Sequence, residues 1–308
     1  MVWICFKLIY DVQSPIHIGD NTQLGISNRT RYYILGKTMW GAVTAILSRW
    51  YMVKYDPIIY KKIGNFVKKN LIFSYFFPLD KNKHILYPNY TDEGIVYGKN
   101  DNDSKISEGE FEAKFITSYV STSVETTEEG SLHEIEHLYP PMFIGYVFIN
   151  KDQSFQNKSL LKVKIQDDKK ILIIGKYKKV ELFNLLDSIQ VGGERSYGFG
   201  RLKRMNKSNP EMVSKIYNKS KVKLDLNYPT LQTDIAFSHL NFPETEEVHN
   251  NKRVIEIRGE FEPLVWRDWD NVKGCGHQKE FCTVALVPGS TFKPQKVKIR
   301  EFGIWSFI

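Results

Sequence analysis

Between Val191 and Leu202 the chain reads Val-Gly-Gly-Glu-Arg-Ser-Tyr-Gly-Phe-Gly-Arg-Leu, placing four glycines in the nine positions from Gly192 to Gly200. A helix end needs only one residue of positive φ, so one turn does not account for four glycines. Bare backbone lets another chain approach closely, and its N–H groups can form a nest for an anion. Arg195, Arg201, Lys203 and Arg204 add phosphate-pairing cations, while Tyr197 and Phe199 offer rings that stack on bases or anchor the loop. Gly192, Gly193, Arg195, Ser196, Tyr197, Gly198, Phe199, Gly200, Arg201 and Arg204 are therefore candidates for holding a polyanion.

Other residues suggest rival chemistry. His133-Glu134-Ile135-Glu136-His137 is a literal H-E-x-x-H, which on a helix sets two imidazoles on one face for zinc with Glu134 as general base. Gly130 and Pro140-Pro141 leave that helix about two turns, and no glutamate follows before residue 180 to complete the site, so a metalloprotease is the minor reading. Cys275, His277 and Cys282 supply three soft ligands within eight residues, with His249 or Cys5 as a fourth for a structural zinc. Their spacing is not that of a standard finger. Two nucleotide fingerprints fail. Gly198-Phe199-Gly200 lacks the later glycine of a dinucleotide site and follows a helix instead of opening one. Gly36-Lys37-Thr38 resembles the tail of a phosphate-binding loop, but Arg31 stands where its leading glycine belongs.

The elements that must carry these residues follow from periodicity. Val2 to Val12 reads as a strand ending before Pro15 and Gly19. Leu35, Met39, Trp40, Val43, Ile46, Leu47 and Trp50 recur at three- and four-residue spacing and predict a helix over about 37–52, with Lys37 at its start. Asp56-Pro57 caps a second helix to about 69, and Leu71–Phe77 is a strand. Pro78 to Glu112 is rich in Asn, Asp, Lys and Gly and reads as a long loop or inserted hairpin. Phe143–Ile149, Leu160–Ile165 and Ile171–Ile174 read as strands, Lys178–Ile189 as a helix, and the last 85 residues as alternating strands. The fold class is α+β: a ferredoxin-like domain with insertions over 1–205, and a β-rich second domain, itself a candidate degenerate ferredoxin-like unit, over 206–308.

With 308 residues, 42% hydrophobic and 25% charged, the chain is a folded protein of two domains' length. No apolar run approaches the ~20 residues of a membrane span, and the first residues lack a secretory pattern. Three cysteines give no disulfide framework, and together these features lead us to expect a cytoplasmic protein. The net charge of +8 is unevenly spread: +8 over residues 1–91, −9 over 92–137, +11 over 151–223 and −2 over 224–308. Two basic blocks flank an acidic insertion at about 78–137. If the basic blocks fold together, their field suits a polyphosphate backbone.

The glycine loop from Gly192 to Arg201 resembles that of the CRISPR-associated RAMP superfamily, which lies between the last helix and last strand of a ferredoxin-like domain. Ser14-Pro15-Ile16-His17-Ile18-Gly19 resembles the end of the family's first strand. Tyr33 to Ala42 is similar to its P-G-S/T-x-x-G-A helix start, with Leu35 in place of the usual proline. Leu132–Leu138 running to Gly145, and Val287-Pro288-Gly289-Ser290-Thr291-Phe292, resemble further family segments. Within the superfamily the chain most resembles the subunit of type III effector complexes that holds the 5′ handle of the guide RNA. That resemblance implies a non-catalytic RNA-binding scaffold, beside a large signalling or nuclease subunit and repeated backbone subunits; we expect no membrane partner and no cofactor apart from the structural zinc weighed above. Lys37, Arg195, Arg201 and Arg204 are then the expected phosphate contacts. The enzymatic alternative is a guide-processing endoribonuclease with His17 as acid or base on the 2′-hydroxyl. A backbone-subunit role would want a catalytic aspartate, for which Asp20 is available.

Overall fold

The structure is a computed structural model that describes residues 3–23, 27–99, 105–123, 131–151, 160–166, 170–205, 210–218, 220–241, 256–270 and 274–308. Its first half is organised by strand β1 (Trp3–Val12), helices α1 (Gly36–Tyr51) and α2 (Pro57–Asn70), and strands β2 (Leu71–Phe73), β3 (Met142–Asn150) and β4 (Arg201–Arg204). These strands lie in the order β4-β1-β3-β2, each antiparallel to its neighbours. This is the order a split βαβ unit gives when two helices cross from β1 to β2 and β3 slots between. Both helices match the expected boundaries. Asp56 accepts the N–H groups of Ile58 and Ile59 at 2.8 and 3.1 Å, and Pro57 takes the first helical position.

The expected helix over Lys178–Ile189 is replaced. Lys179–Glu181 is a strand completing the antiparallel sheet of Lys162–Gln166 and Lys170–Ile174, Leu182–Leu185 is one helical turn, and Ser188–Gln190 pairs with β4. The apolar residues that read as helical period are shared between a strand and a turn, which bury Leu182, Phe183 and Leu186 all the same. Of the loop and hairpin readings of the insertion, the structure shows the hairpin, with further elements after it. Strands Pro88–Thr91, Gly94–Tyr97 and Ile106–Ser107 precede a helix at Glu108–Phe115, whose start is a Ser107–Glu110 capping box. A hairpin of Ile116–Ser123 and Ser131–Leu138 follows, and its second strand joins Ser27–Thr30 in parallel.

Strand β1 is buried on both faces. Ile4, Phe6, Leu8, Tyr10 and Val12 face the helices, while Trp3 and Cys5 face a second, larger sheet built from residues 215–307. That second core holds Tyr75, Phe77, Tyr146 and Phe148 from the first half and Tyr217, Phe237, Val297 and Trp305 from the second. Each such side chain is worth about 1.5–3 kcal/mol when buried. The turn Glu301–Gly303 reaches back to the start of α1: a Cβ on Gly36 would lie 2.3 Å from the Phe302 carbonyl oxygen, and one on Gly303 2.2 Å from that of Phe73. Phe302 itself takes a left-handed φ of 60° there.

A polar seam crosses the second core. Arg31 pairs with Asp20 at 2.9 Å and Glu262 at 2.8 Å, Glu262 meets Nε2 of the buried His239, and the Tyr75 hydroxyl donates to His239 Nδ1 at 2.6 Å. Burial pushes the Glu262 carboxyl up, but His239 and Arg31 outweigh it and bring the group down to about 2. Burial lowers the His239 pKa, against the hydrogen bond and the charge of Glu262, which raise it. Asp20, considered above as a catalytic aspartate, is engaged in this seam. Among the described residues no helix is long and apolar enough to cross a membrane.

Candidate nucleic-acid interface

The glycine loop joins Ser188–Gln190 to β4 as the closed end of a hairpin, with the Val191 N–H donating to the Gly200 carbonyl at 2.9 Å. It rests on the segment following β1. The Gly193 N–H donates to His17 O at 2.9 Å, the Gly200 N–H to Pro15 O at 2.7 Å, and the Arg201 N–H to Ser14 Oγ at 2.9 Å. Gln190 Nε2 spans the loop's mouth, donating to the carbonyls of Arg195 and Phe199 at 3.0 and 2.8 Å. Two glycines answer to this packing. A Cβ on Gly192 (φ 78°) would lie 2.2 Å from His17 O, and one on Gly200 (φ 83°) would lie 1.9 Å from Val191 O. Gly198 needs only its left-handed φ of 89°, since the space around it is open. The loop's closest partner is thus the chain's own backbone. The amides of Gly193, Gly198 and Gly200 are bonded internally, so these three do not form the expected anion nest, and the surface chemistry belongs to side chains.

Those side chains divide. Arg195, Ser196 and Tyr197 form a 3₁₀ turn at the tip and are exposed, with Tyr197 72% accessible. Arg201 is exposed at the start of β4. Arg204 is not on the surface: it is 3% exposed, with its guanidinium 5.7 Å from the Phe183 ring centroid and 4.0 Å from Asp187. It alternates with Arg201 along a strand whose inner face must be buried, and it makes a core pair in place of the expected phosphate contact. Phe199 turns inward against the His137 ring at 5.4 Å.

Beside the tip lies a cleft of about 400 Å³, walled by Gln190–Gly193 and Arg195 on one side and by Thr38, Trp40 and Gly41 of α1 and Tyr60, Lys61 and Gly64 of α2 on the other. That volume is in the range of small-ligand clefts. The first turn of α1 carries neither an acidic residue nor a side-chain cap, which leaves a positive helix end. Lys37, in that turn, holds its Nζ 4.9 Å from the Phe302 ring centroid, and Lys68 of α2 holds its own 5.0 Å from the same ring. The structure therefore brings Gly192, Gly193 and Arg195 to one cleft and sets Lys37 on the helix that walls it. Lys61, Lys68 and Phe302 were missed in the sequence. The two lysines share an α2 face at a spacing of seven, a signal that was present, whereas nothing marks Phe302, which comes from the far end of the chain.

The rival sites resolve differently. His133-Glu134-Ile135-Glu136-His137 is a β-strand, not a helix. Residues four apart in a strand are separated by ~13 Å along the chain, against ~6 Å on a helix, so the zinc-peptidase reading loses its geometry. Cys275, His277 and Cys282 fall on the strand Gly274–Leu286, but their side chains, like His249 altogether, lie outside the described residues. Cys5 is buried in β1. Among the described residues no three His, Cys, Asp or Glu side chains are placed to hold a metal. His17 is 8% exposed beneath the glycine loop, its Nδ1 2.8 Å from the Glu136 carbonyl. Beside it, burial and then the charge of His17 lower the pKa of His137.

A model of the RAMP superfamily matches residues 10–203. No curated protein matches the chain. Among solved structures, a chain of a type III-B Cmr-beta complex bound to cognate target RNA and AMPPnP is 12% identical, with a TM-score of 0.48 over 93% of this chain and 85% of that one. A chain of the Csm3-Csm4 subcomplex of a type III-A CRISPR-Cas interference complex is 14% identical, with a TM-score of 0.40 over 96% and 94%. Oligomeric Cmr4 from Pyrococcus furiosus is 12% identical, with a TM-score of 0.28 over 69% and 99%.

Proposed function

Because the chain belongs to the RAMP superfamily, we propose that it is a non-catalytic RNA-binding scaffold subunit of a type III CRISPR effector complex, holding the 5′ handle of the guide RNA. The observation that carries this reading is the rigid loop tip of Arg195, Ser196 and Tyr197 beside a cleft walled by Lys61 and the uncapped end of α1. The cations pair with phosphates, and the exposed Tyr197 ring stacks a base, worth about 1–3 kcal/mol. The hydrogen bonds from Gln190, and those to Pro15 and His17, fix the tip before RNA arrives, so little ordering cost falls on binding. The large signalling or nuclease subunit and the backbone subunits are the partners this reading implies.

The test is the affinity of the purified protein for guide RNA carrying the repeat-derived 5′ handle, measured across salt concentrations. Arg195→Gln should weaken binding to all sequences and lower the salt slope by about one ion. Tyr197→Ala should weaken binding at every salt concentration without changing the slope. If both variants bind like the parent, this interface is refuted. A second reading, a guide-processing endoribonuclease, is favoured by His17 Nδ1 lying 2.8 Å from the carbonyl of Glu136, the residue next to His137. Incubation with repeat RNA tests it. Cleavage that disappears in both His17→Ala and His137→Ala would establish it in place of the scaffold role.

A further inference from the structure

The segment joining α1 to α2 and the turn at residues 175–178 meet on one side of the molecule, so closely that a Cβ on Gly175 would lie 2.9 Å from the Tyr51 ring. Between them runs a groove of about 230 Å³, walled by Tyr51, Met52, Val53, Ile59 and Tyr177. Its surroundings are apolar yet in water: Val53 is 99% exposed and Tyr177 83%, and Tyr55 and Ile58 are both more than half exposed. Single exposed apolar residues are ordinary, but Val53 and Tyr177 on the groove, with Tyr55 and Ile58 beside it in the chain, mark a contact surface.

The exposed charged side chains around it are all cationic. Lys54, Lys62, Lys176, Lys178 and Lys179 are all exposed, and Lys62 sits one helical turn from Ile58. Lys178 Nζ donates to Trp50 O at 3.3 Å, and Lys176 Nζ lies 4.9 Å from the Tyr177 ring centroid, so both cations are held at the groove. Asp56, the acid in this segment, has its carboxylate taken by the N–H groups that open α2.

We propose that this groove docks a protein segment presenting one or two apolar side chains flanked by Asp and Glu. Charge complementarity selects the acidic flanks and rejects a basic surface. The apolar centre selects protein over polynucleotide: Val53, Ile58, Met52 and Ile59 are aliphatic or thioether groups that reward burial of an apolar side chain, while the Tyr51 ring is packed on Gly175 and the Tyr177 ring already carries the Lys176 ammonium. The groove uses Ile59, whereas the glycine-loop cleft uses Tyr60, Lys61 and Gly64, so the two surfaces can be tested separately. A groove this small buries less than a standard interface, which makes it one anchor within a larger contact.

The experiment places a photo-crosslinker at position 53 (Val53→p-benzoylphenylalanine) in the full chain, in cells that make it together with its neighbouring subunits, and maps the adduct by mass spectrometry. The expected adduct is a protein segment with an apolar residue and at least two Asp or Glu within four positions of it. Its yield should fall at least fivefold in Tyr177→Ser/Lys178→Glu, with melting temperature unchanged because both side chains are exposed, and should be unaffected by Arg195→Gln. An adduct to RNA, an adduct to a segment without acidic flanks, or no adduct at all overturns the proposal. The first of these would leave the RNA-binding role standing and move part of it here.

Discussion

Replacing Glu262 with glutamine keeps the side chain's shape and removes the one charge in the seam that touches both Arg31 and His239. The native carboxyl titrates at about 2 against an ordinary 4.5, a difference of 2.5 units. At 1.36 kcal/mol per unit this is about 3 kcal/mol, and because the Glu262 side chain is 21% exposed, screening reduces it to about 2 kcal/mol. Arg31 retains Asp20 in the variant, so its own charge is not stranded. At about 2.1 cal/mol/K of unfolding entropy per residue, 2 kcal/mol lowers the melting temperature of a 308-residue chain by about 3 °C at pH 7. The pH dependence is the sharper signature. The folded pKa is depressed, so the stabilisation is fully present above pH 4.5, falls as acid protonates the folded carboxylate, and is nearly gone at pH 2. Urea unfolding of both proteins from pH 7 down to 3 should show the gap narrowing by half or more. A gap that stays constant with pH, or a Gln variant as stable as the parent at pH 7, refutes the electrostatic account of the seam. The double variant with Arg31→Met then gives the coupling energy, expected at about 1–3 kcal/mol.

The two left-handed glycines at either end of the loop's second half should separate in urea unfolding. Gly200→Ala, with its Cβ 1.9 Å from a carbonyl oxygen, should cost about 3 kcal/mol, while Gly198→Ala, in open space, should cost only the backbone strain of about 1 kcal/mol. Arg204→Met should lower stability by about 2 kcal/mol by leaving Asp187 without its buried partner while leaving the salt slope of RNA binding intact, and Arg201→Met should do the reverse. Asp56→Ala should destabilise by about 1 kcal/mol through loss of the α2 cap, measured by thermal melting.

The helices of the first half were legible because their signals are local: an apolar stripe for α1, and Asp56-Pro57 for α2. The loop at 192–200 was legible as an unusual backbone, but what its glycines approach was not, since His17 and Pro15 come from the far end of β1. Alternation along β4 implies that Arg201 and Arg204 face opposite sides, but which of them faces the core is set by how β4 packs once it is paired with β1. The strand at 131–138 was read through a motif whose meaning depends on helical spacing. Its true state is set by its hairpin partner and by Ser27–Thr30. The helix at 108–115 carried a readable capping box, Ser107 to Glu110, inside a stretch whose Asn, Asp, Lys and Gly content reads as loop or hairpin. Lys68 and Phe302 meet only through tertiary packing, and no spacing rule reaches that far.

The turn at Glu301–Gly303 bears on the order of events during synthesis. Its backbone is lodged against Gly36 and Phe73, so the start of α1 is sealed by residues made some 265 positions later. While the ribosome is still translating the second sheet, the helix end that holds Lys37 lacks the ring beneath it and the odd-numbered face of β1 has no cover. Contacts this distant in sequence form late and leave apolar surface open meanwhile. The cationic surface is therefore completed only when the chain is almost finished, and a nascent chain does not carry it in full before its own fold is closed.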